Sequence, residues 1–198
     1  VLSVHAPAAV DLVAEVINGN GIGEVHDSFD DGTLKNFAGR IVRPFGPVRA
    51  GLFGYYGKQK LAAVPPDVTD PLVTPGRETE FWYWGPDLVL DVHPQWQLNL
   101  QYLERRDSDP YFVGRSGDDL LTRGGFAELH FLPQGEDGRW VLTGLYNKVD
   151  SDEESAKLEN ASLTVNRLVA RNFRLVAEGA YDLEAERSRA SLGFVAAF

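Results

Sequence analysis

The chain contains no cysteine and no methionine in 198 residues, and positive charge is scarce, with 19 Lys+Arg against 29 Asp+Glu. Without cysteine there are no disulfides, thiolate metal sites, covalent c-type haem attachments or thiol nucleophiles. The absence also suits passage through an oxidising compartment. Methionine is missing even at position 1, so a processed mature form or a fragment is expected, any signal peptide having been removed. A net charge of −10 leaves no basic face to neutralise phosphates and argues against nucleic acid as a partner. No stretch approaches the about 18 consecutive apolar residues that a membrane-crossing helix needs.

What is present points to strands. Glycine (20 residues) and aromatics (11%) are plentiful, and the length favours a single domain over 1–198. The mean hydropathy is slightly negative. Strands whose two faces differ escape a hydropathy scan, because apolar and polar residues cancel along them.

About ten segments show an apolar face of period two. The first runs over Val10–Ile17, the second over Phe37–Arg43, the third over Val48–Tyr56 and the fourth over Phe81–Val92. In the fifth, Trp96, Leu98, Leu100 and Tyr102 alternate with Gln97, Asn99 and Gln101. Four more follow near Gly125–Phe131, Trp140–Asn147, Ala161–Asn166 and Phe173–Tyr181, and the tenth closes the chain through Phe194 to the terminal Phe198. Pro86 inside the fourth segment cannot donate to a ladder, so a bulge is expected there.

The links alternate. Short ones fall at 44–47, 93–95, 133–139 and 168–172, and longer polar ones at 18–35, 57–80, 105–122 and 149–159. Strict alternation puts all the long links at one end of an up-and-down meander. Aromatics sort by end as well. Trp96, Trp140 and Phe173 follow short turns, whereas Tyr56, Tyr102, Tyr146 and Tyr181 precede long links, with Trp82 and Trp84 near that end. Rings at both rims of an apolar band form the girdles of a membrane barrel. Strands of about six to eight residues, tilted about 40°, would rise roughly 15–20 Å, slightly less than the band of about 25 Å.

The other face is polar: Arg40, Arg49, Asp87, Asp91, Gln97, Asn99, Gln101, Glu128, His130, Arg174 and Glu178, with Glu15 and Asn166. Apolar-out and polar-in inverts a soluble core and implies a wet interior. The fold class expected is therefore all-β, a transmembrane antiparallel up-and-down β-barrel. These residues are expected to line its lumen, with Arg40, Arg49 and Arg174 facing Asp87, Asp91, Glu128 and Glu178 across it. Such charges set ion preference through local fields. The C-terminal Phe194 and Phe198 read as a signal to barrel-assembly machinery, and the outward face as a surface for outer-membrane lipid and lipopolysaccharide.

Motifs for chemistry are weak. Gly19–Gly23 lacks the lysine and the strand–helix context of a phosphate loop. Asp27–Gly32 lacks the closing glutamate of a calcium loop. Asp150–Glu154 reads as a solvated acidic loop. His5, His26, His93 and His130 have no metal-ligand spacing. His26 with Asp27 or Asp30 is the one catalytic candidate, and no strand places a serine beside it. No catalytic residue, metal or cofactor is expected.

Four stretches carry a resemblance: Lys35–Arg40, Gly51–Lys58, Arg139–Asn147 and Ser188–Phe198. They resemble the C-terminal half of bacterial outer-membrane porins, and most closely the phosphate-selective porin O and P group. The resemblance implies a monomeric or trimeric diffusion channel of about sixteen strands, with this chain as part of such a barrel or a smaller relative. The arginine ladder of that group has no counterpart that can be placed here. A second role consistent with the same barrel is a sheath for another protein, such as a multihaem cytochrome.

Overall fold

A computed structural model describes residues 1–6, 9–18, 35–61, 71–73, 75–113, 119–135 and 137–196. It forms one sheet of eleven strands in chain order. These are β1 (Leu2–Ala6), β2 (Val10–Asn18), β3 (Lys35–Phe45), β4 (Val48–Lys60), β5 (Glu78–His93) and β6 (Trp96–Asp107), followed by β7 (Leu120–Phe131), β8 (Trp140–Ser151), β9 (Leu158–Ala170), β10 (Phe173–Asp182) and β11 (Arg187–Ala196). Every neighbouring pair is antiparallel. The expected all-β up-and-down architecture is what the chain adopts.

The sheet is open, because β1 and β11 are not paired with each other. Being first and eleventh in an antiparallel series, they run in the same direction. An all-antiparallel closure therefore requires an odd number of strands between them, in keeping with the even totals of bacterial single-chain barrels.

Several expectations need correction. Eleven strands replace ten, since the five residues of β1 carry too short an alternation to stand out. Strands are also longer than expected: β5 has 16 residues and β4 has 13. Charged residues end the apolar stripe but not the backbone ladder, which continues through Lys60↔Glu78 and Asp107↔Leu120. The sorting of links by length is not strict either, because 132–139 is longer than 152–157. No bulge forms at Pro86. It stays in register opposite Leu52, and the β5–β6 register shifts instead between Asp91 and His93. An exposed proline facing outward costs that ladder one donor without adding a residue.

Curvature is built from glycine. A Cβ on Gly85 would collide with the Tyr102 carbonyl, one on Gly125 with the Gln101 carbonyl, and one on Gly124 with the Lys148 carbonyl. Backbones approach closely along β5–β8 only because these positions carry no side chain.

Residues opposite one another in register share a face, so the pairing sorts all side chains into two sets. Strand-borne large hydrophobics that lie exposed fall on one face, Leu158 and Val195 excepted; Leu163 is 55% exposed and Leu192 83%. The other face is concave and holds what little core exists, including Phe81 at 1% exposure and Tyr83. A water-soluble domain of this size cannot leave most of its apolar side chains uncovered and its interior polar. In hydrocarbon the same arrangement is stable, since every interior strand satisfies its backbone through its neighbours.

Candidate functional site

Strict alternation places every residue expected at the lumen on the concave face. Successive rows cross the strands. One runs Gly51–Asp87–Gln101–Phe126–Asn147–Asn160, the next Arg49–Val89–Asn99–Glu128–Leu145–Ser162, and the third Asp91–Gln97–His130–Thr143–Thr164–Glu178. Arg40 and Arg174 share this face by strand parity. Over β4–β7 the face holds an open concavity of about 680 Å³ bordered by Arg49, Phe53, Tyr83, Asp87, Gln97, Asn99, Gln101 and Phe126, by Leu88, Val89, Leu100 and Leu103, and by Arg40 of β3.

Hydrogen bonds join some of these groups. Arg40 Nη2 lies 2.8 Å from Asp87 Oδ1. Asn99 Nδ2 donates to Glu128 Oε2 at 2.9 Å, and His130 Nε2 lies 2.9 Å from the same oxygen. His130 Nδ1 meets Thr143 Oγ1 at 2.9 Å. A neutral ring protonated at Nε2 satisfies both contacts, donating to the carboxylate and accepting from the hydroxyl. Asn99 Oδ1 is enclosed and has no hydrogen-bond partner among the described residues. Glu178 accepts from Thr164 at 3.3 Å and pairs with Arg189 at 3.4 Å.

The expected facing of arginines against carboxylates is only partly what the geometry gives. Arg40 meets Asp87 two strands away along the same wall, and Glu178 meets Arg189 rather than Arg174. Arg49 and Arg174 join no ion pair among the described residues. Local register decides these partners, because a long side chain reaches the next strand or the one beyond before it reaches an opposite wall.

The aromatic set occupies the outward face throughout. At the short-turn rim Trp96 stacks on Phe131 with centroids 4.2 Å apart, the Arg167 guanidinium lies 5.0 Å over Trp140, and Phe173 packs on Phe194 at 5.7 Å. At the other rim Tyr56 stands opposite Trp82 in register, Trp84 meets the Tyr102 edge, and Tyr181 lies across from Ala161. Tyr102 donates to Glu104 at 3.2 Å, and Tyr146 to Glu159 at 2.8 Å. Just beyond these tyrosines comes an outward belt of paired charges: Lys58 with Glu80, Arg123 with Glu104, and Lys148 with Glu159. Phenol rings below and ion pairs above mark the passage from an apolar layer to water. Phe198, like the stretches at Gly19–Gly23, His26 and Asp27–Gly32, lies outside the described residues.

Aromatic rings also gather on the concave face. Phe53, Tyr83, Tyr55 and Phe81 stack on the concave face, with Tyr55 and Tyr83 4.7 Å apart and 3° from parallel, and Arg105 caps Phe81 at 5.3 Å. Gly57 makes room for the Phe81 ring. The stack's sequence signal is two pairs of aromatics, each two residues apart, on the otherwise polar face. Past the strand ends, Tyr111 donates to Glu153 and Lys157 pairs with Glu154 at 2.6 Å. The Tyr111 hydroxyl, helped by Ser155, holds the Glu153 carboxyl below its ordinary range, and the pairing with Glu154 raises Lys157. The acidic Asp150–Glu154 stretch is thus tied to neighbouring segments: the Asp152 carboxylate accepts from the Leu121 amide of β7. Among the described residues no cluster of His, Asp and Glu has the arrangement of a metal site.

No family model matches the chain. No curated protein matches it. Among solved structures it is similar to OmpT, an in-vitro folded outer-membrane protein of Vibrio cholerae in its trimer form, at a TM-score of 0.52 and 11% identity, over 93% of this chain and 62% of that one. The chain thus spans less than two thirds of that protein's length. At this identity the likeness concerns fold, and the fold is that of an outer-membrane β-barrel.

Proposed function

We propose that this sheet forms wall of a water-filled channel in the outer membrane of a Gram-negative-type bacterium, through which small polar solutes and ions diffuse passively. The observation that carries the reading is the inversion of the sheet: one continuous apolar face banded by aromatics, and behind it a concave face of amides, hydroxyls and charges. Polar lumen groups provide transient, multiple contacts that let a solute enter and leave. No catalytic step is part of the proposal. The outward face takes lipid and, at the charged belt, lipopolysaccharide. Insertion proceeds through barrel-assembly machinery that reads Phe194 and Phe198, and assembly is as a homotrimer. Kinship with the phosphate-selective porin O and P group rests on the four resembling stretches, and phosphate preference is not part of the proposal.

Reconstitution into planar bilayers tests it. Discrete conductance steps in potassium chloride are expected. Folded, detergent-purified protein that never opens a pore defeats the channel and leaves the barrel standing, and co-purified haem protein would then favour the sheath role.

A further inference from the structure

The concavity over β4–β7 has the size and chemistry of a solute subsite. Its volume of about 680 Å³ falls within the roughly 300–1,000 Å³ of small-ligand sites. On one side stand rings, with Phe53 ending the aromatic stack and Tyr83 behind it. On the other stand three neutral amides on one strand, Gln97, Asn99 and Gln101, with the Phe126 ring beside Gln101. Gln97 and Gln101 each offer donors and an acceptor in one plane, so each serves a hydroxyl group in both of its roles; Asn99, its oxygen enclosed and one N–H held by Glu128, orders the strand between them. The Asp87 carboxylate lies over Gly51.

Charge narrows the class. Arg40 is neutralised by Asp87. Arg49 also borders the concavity, and the carboxylates of Asp91 and Glu128 stand on the same stretch of wall, Glu128 bonded to Asn99, so an anion gains nothing from the local field. The fixed Arg40–Asp87 pair still offers a charged donor and a charged acceptor, which bind hydroxyls more strongly than neutral groups do. Rings for C–H faces, amides for hydroxyls and no surplus of positive charge for an anion together describe a neutral sugar. We infer that this concavity is a binding subsite for neutral mono- and disaccharides, with Phe53 packing on the sugar ring and Gln97 and Gln101 taking its hydroxyls. The inference rests on the channel reading for the solute's route and is separable from it by experiment.

The test uses the full chain in an amine-oxide detergent, since alkyl glycosides would compete. Maltose and sucrose are titrated by saturation-transfer NMR, and glucose 6-phosphate serves as the charged comparator. Saturable binding in the millimolar range is expected for both neutral sugars. Phe53→Leu, which keeps bulk and removes the ring, and Gln101→Ala should each weaken it about tenfold, roughly one lost good contact. Outward Leu163→Ala should retain it. Heat-modifiable gel mobility confirms that each variant is folded, and Gln101→Ala alone decides the matter if Phe53→Leu is not. Signal that never saturates, equal signal in Gln101→Ala, or tighter binding of the phosphate overturns the subsite. In parallel bilayers, conductance without sugar binding sinks the subsite and leaves the channel, whereas sugar binding without conductance does the reverse.

Discussion

Arg40 on β3 reaches across the bare backbone of Gly51 on β4 to Asp87 on β5, so one ion pair bridges three strands of the concave face. A methyl group at position 51 would strike the Asp87 carboxylate. Arg40 is about half exposed, so the pair contributes little to stability, under about 1 kcal/mol, and its effect is on the local field. Asp87→Asn should release an uncompensated positive charge and move the reversal potential in a potassium chloride gradient toward chloride. Gly51→Ala should act in the same direction by displacing the carboxylate, a swing that a short, partly exposed side chain tolerates. An unmoved potential in both variants would mean that ions do not pass this wall.

The close approach of β5 and β6 makes a second contrast. Gly85→Ala would place a methyl group on the Tyr102 carbonyl, and backbone cannot step aside as a side chain can. Overpacking of this kind costs about 1–3 kcal/mol, occasionally more. Loss of the compact, heat-modifiable band after refolding is expected. Gly144→Ala meets nothing within 4 Å on the outward face. There the gain in backbone restriction predicts equal or slightly greater stability, up to about 1 kcal/mol.

These contacts also show what a sequence can and cannot reveal here. Alternation is local and was legible: Trp96, Leu98, Leu100 and Tyr102 share one face and Gln97, Asn99 and Gln101 the other because the strand keeps its pleat. Among the described residues irregularities fall only at strand ends, at Asp91/His93 and at Phe173/Arg174, so parity survives between them. Strand ends were not legible, since Lys58 and Glu80 sit in a ladder that backbone hydrogen bonds extend regardless of polarity. Partner choice was not legible either. Arg40 finds Asp87 because β3, β4 and β5 align in one register, a relation between residues 47 positions apart. The stack of Phe53, Tyr55, Phe81 and Tyr83 has the same origin: each pair is visible alone, and only the pairing of β4 with β5 brings them together.

The tie between Tyr111 and Glu153 joins two loops beyond the strand ends and has a defined pH window. The folded pKa of Glu153 is depressed below 4.5, chiefly by the Tyr111 hydrogen bond. Its contribution is therefore present above the unfolded carboxyl pKa and is lost as pH falls through the lower, folded one. The Tyr111 pKa is raised above 10.0 by the same bond. That contribution is present below the unfolded phenol pKa and is lost as pH rises through the higher, folded value. The loops are thus held together across the neutral range and released at both extremes. Tyr111→Phe should return the Glu153 titration, followed by carboxyl carbon NMR, upward toward 4.5. A Glu153 titration indifferent to the substitution would show that the bond does not persist in solution.

Adjacent residues on β9 test which face meets hydrocarbon. Leu163 points outward between the two aromatic rims, and Ser162 points into the concave face. Arginine on the lipid face of a barrel costs about 2–4 kcal/mol near the midplane and little in the lumen. Leu163→Arg should therefore lower the unfolding free energy in lipid vesicles by about that amount, followed by tryptophan fluorescence in guanidinium. Ser162→Arg should leave it within about 1 kcal/mol while altering single-channel conductance. The sign of the difference matters more than its size. A water-soluble sheet folded around Leu163 would also lose stability on Leu163→Arg, but it would unfold reversibly without lipid or detergent. The membrane orientation predicts that removing the amphiphile unfolds or precipitates both variants alike.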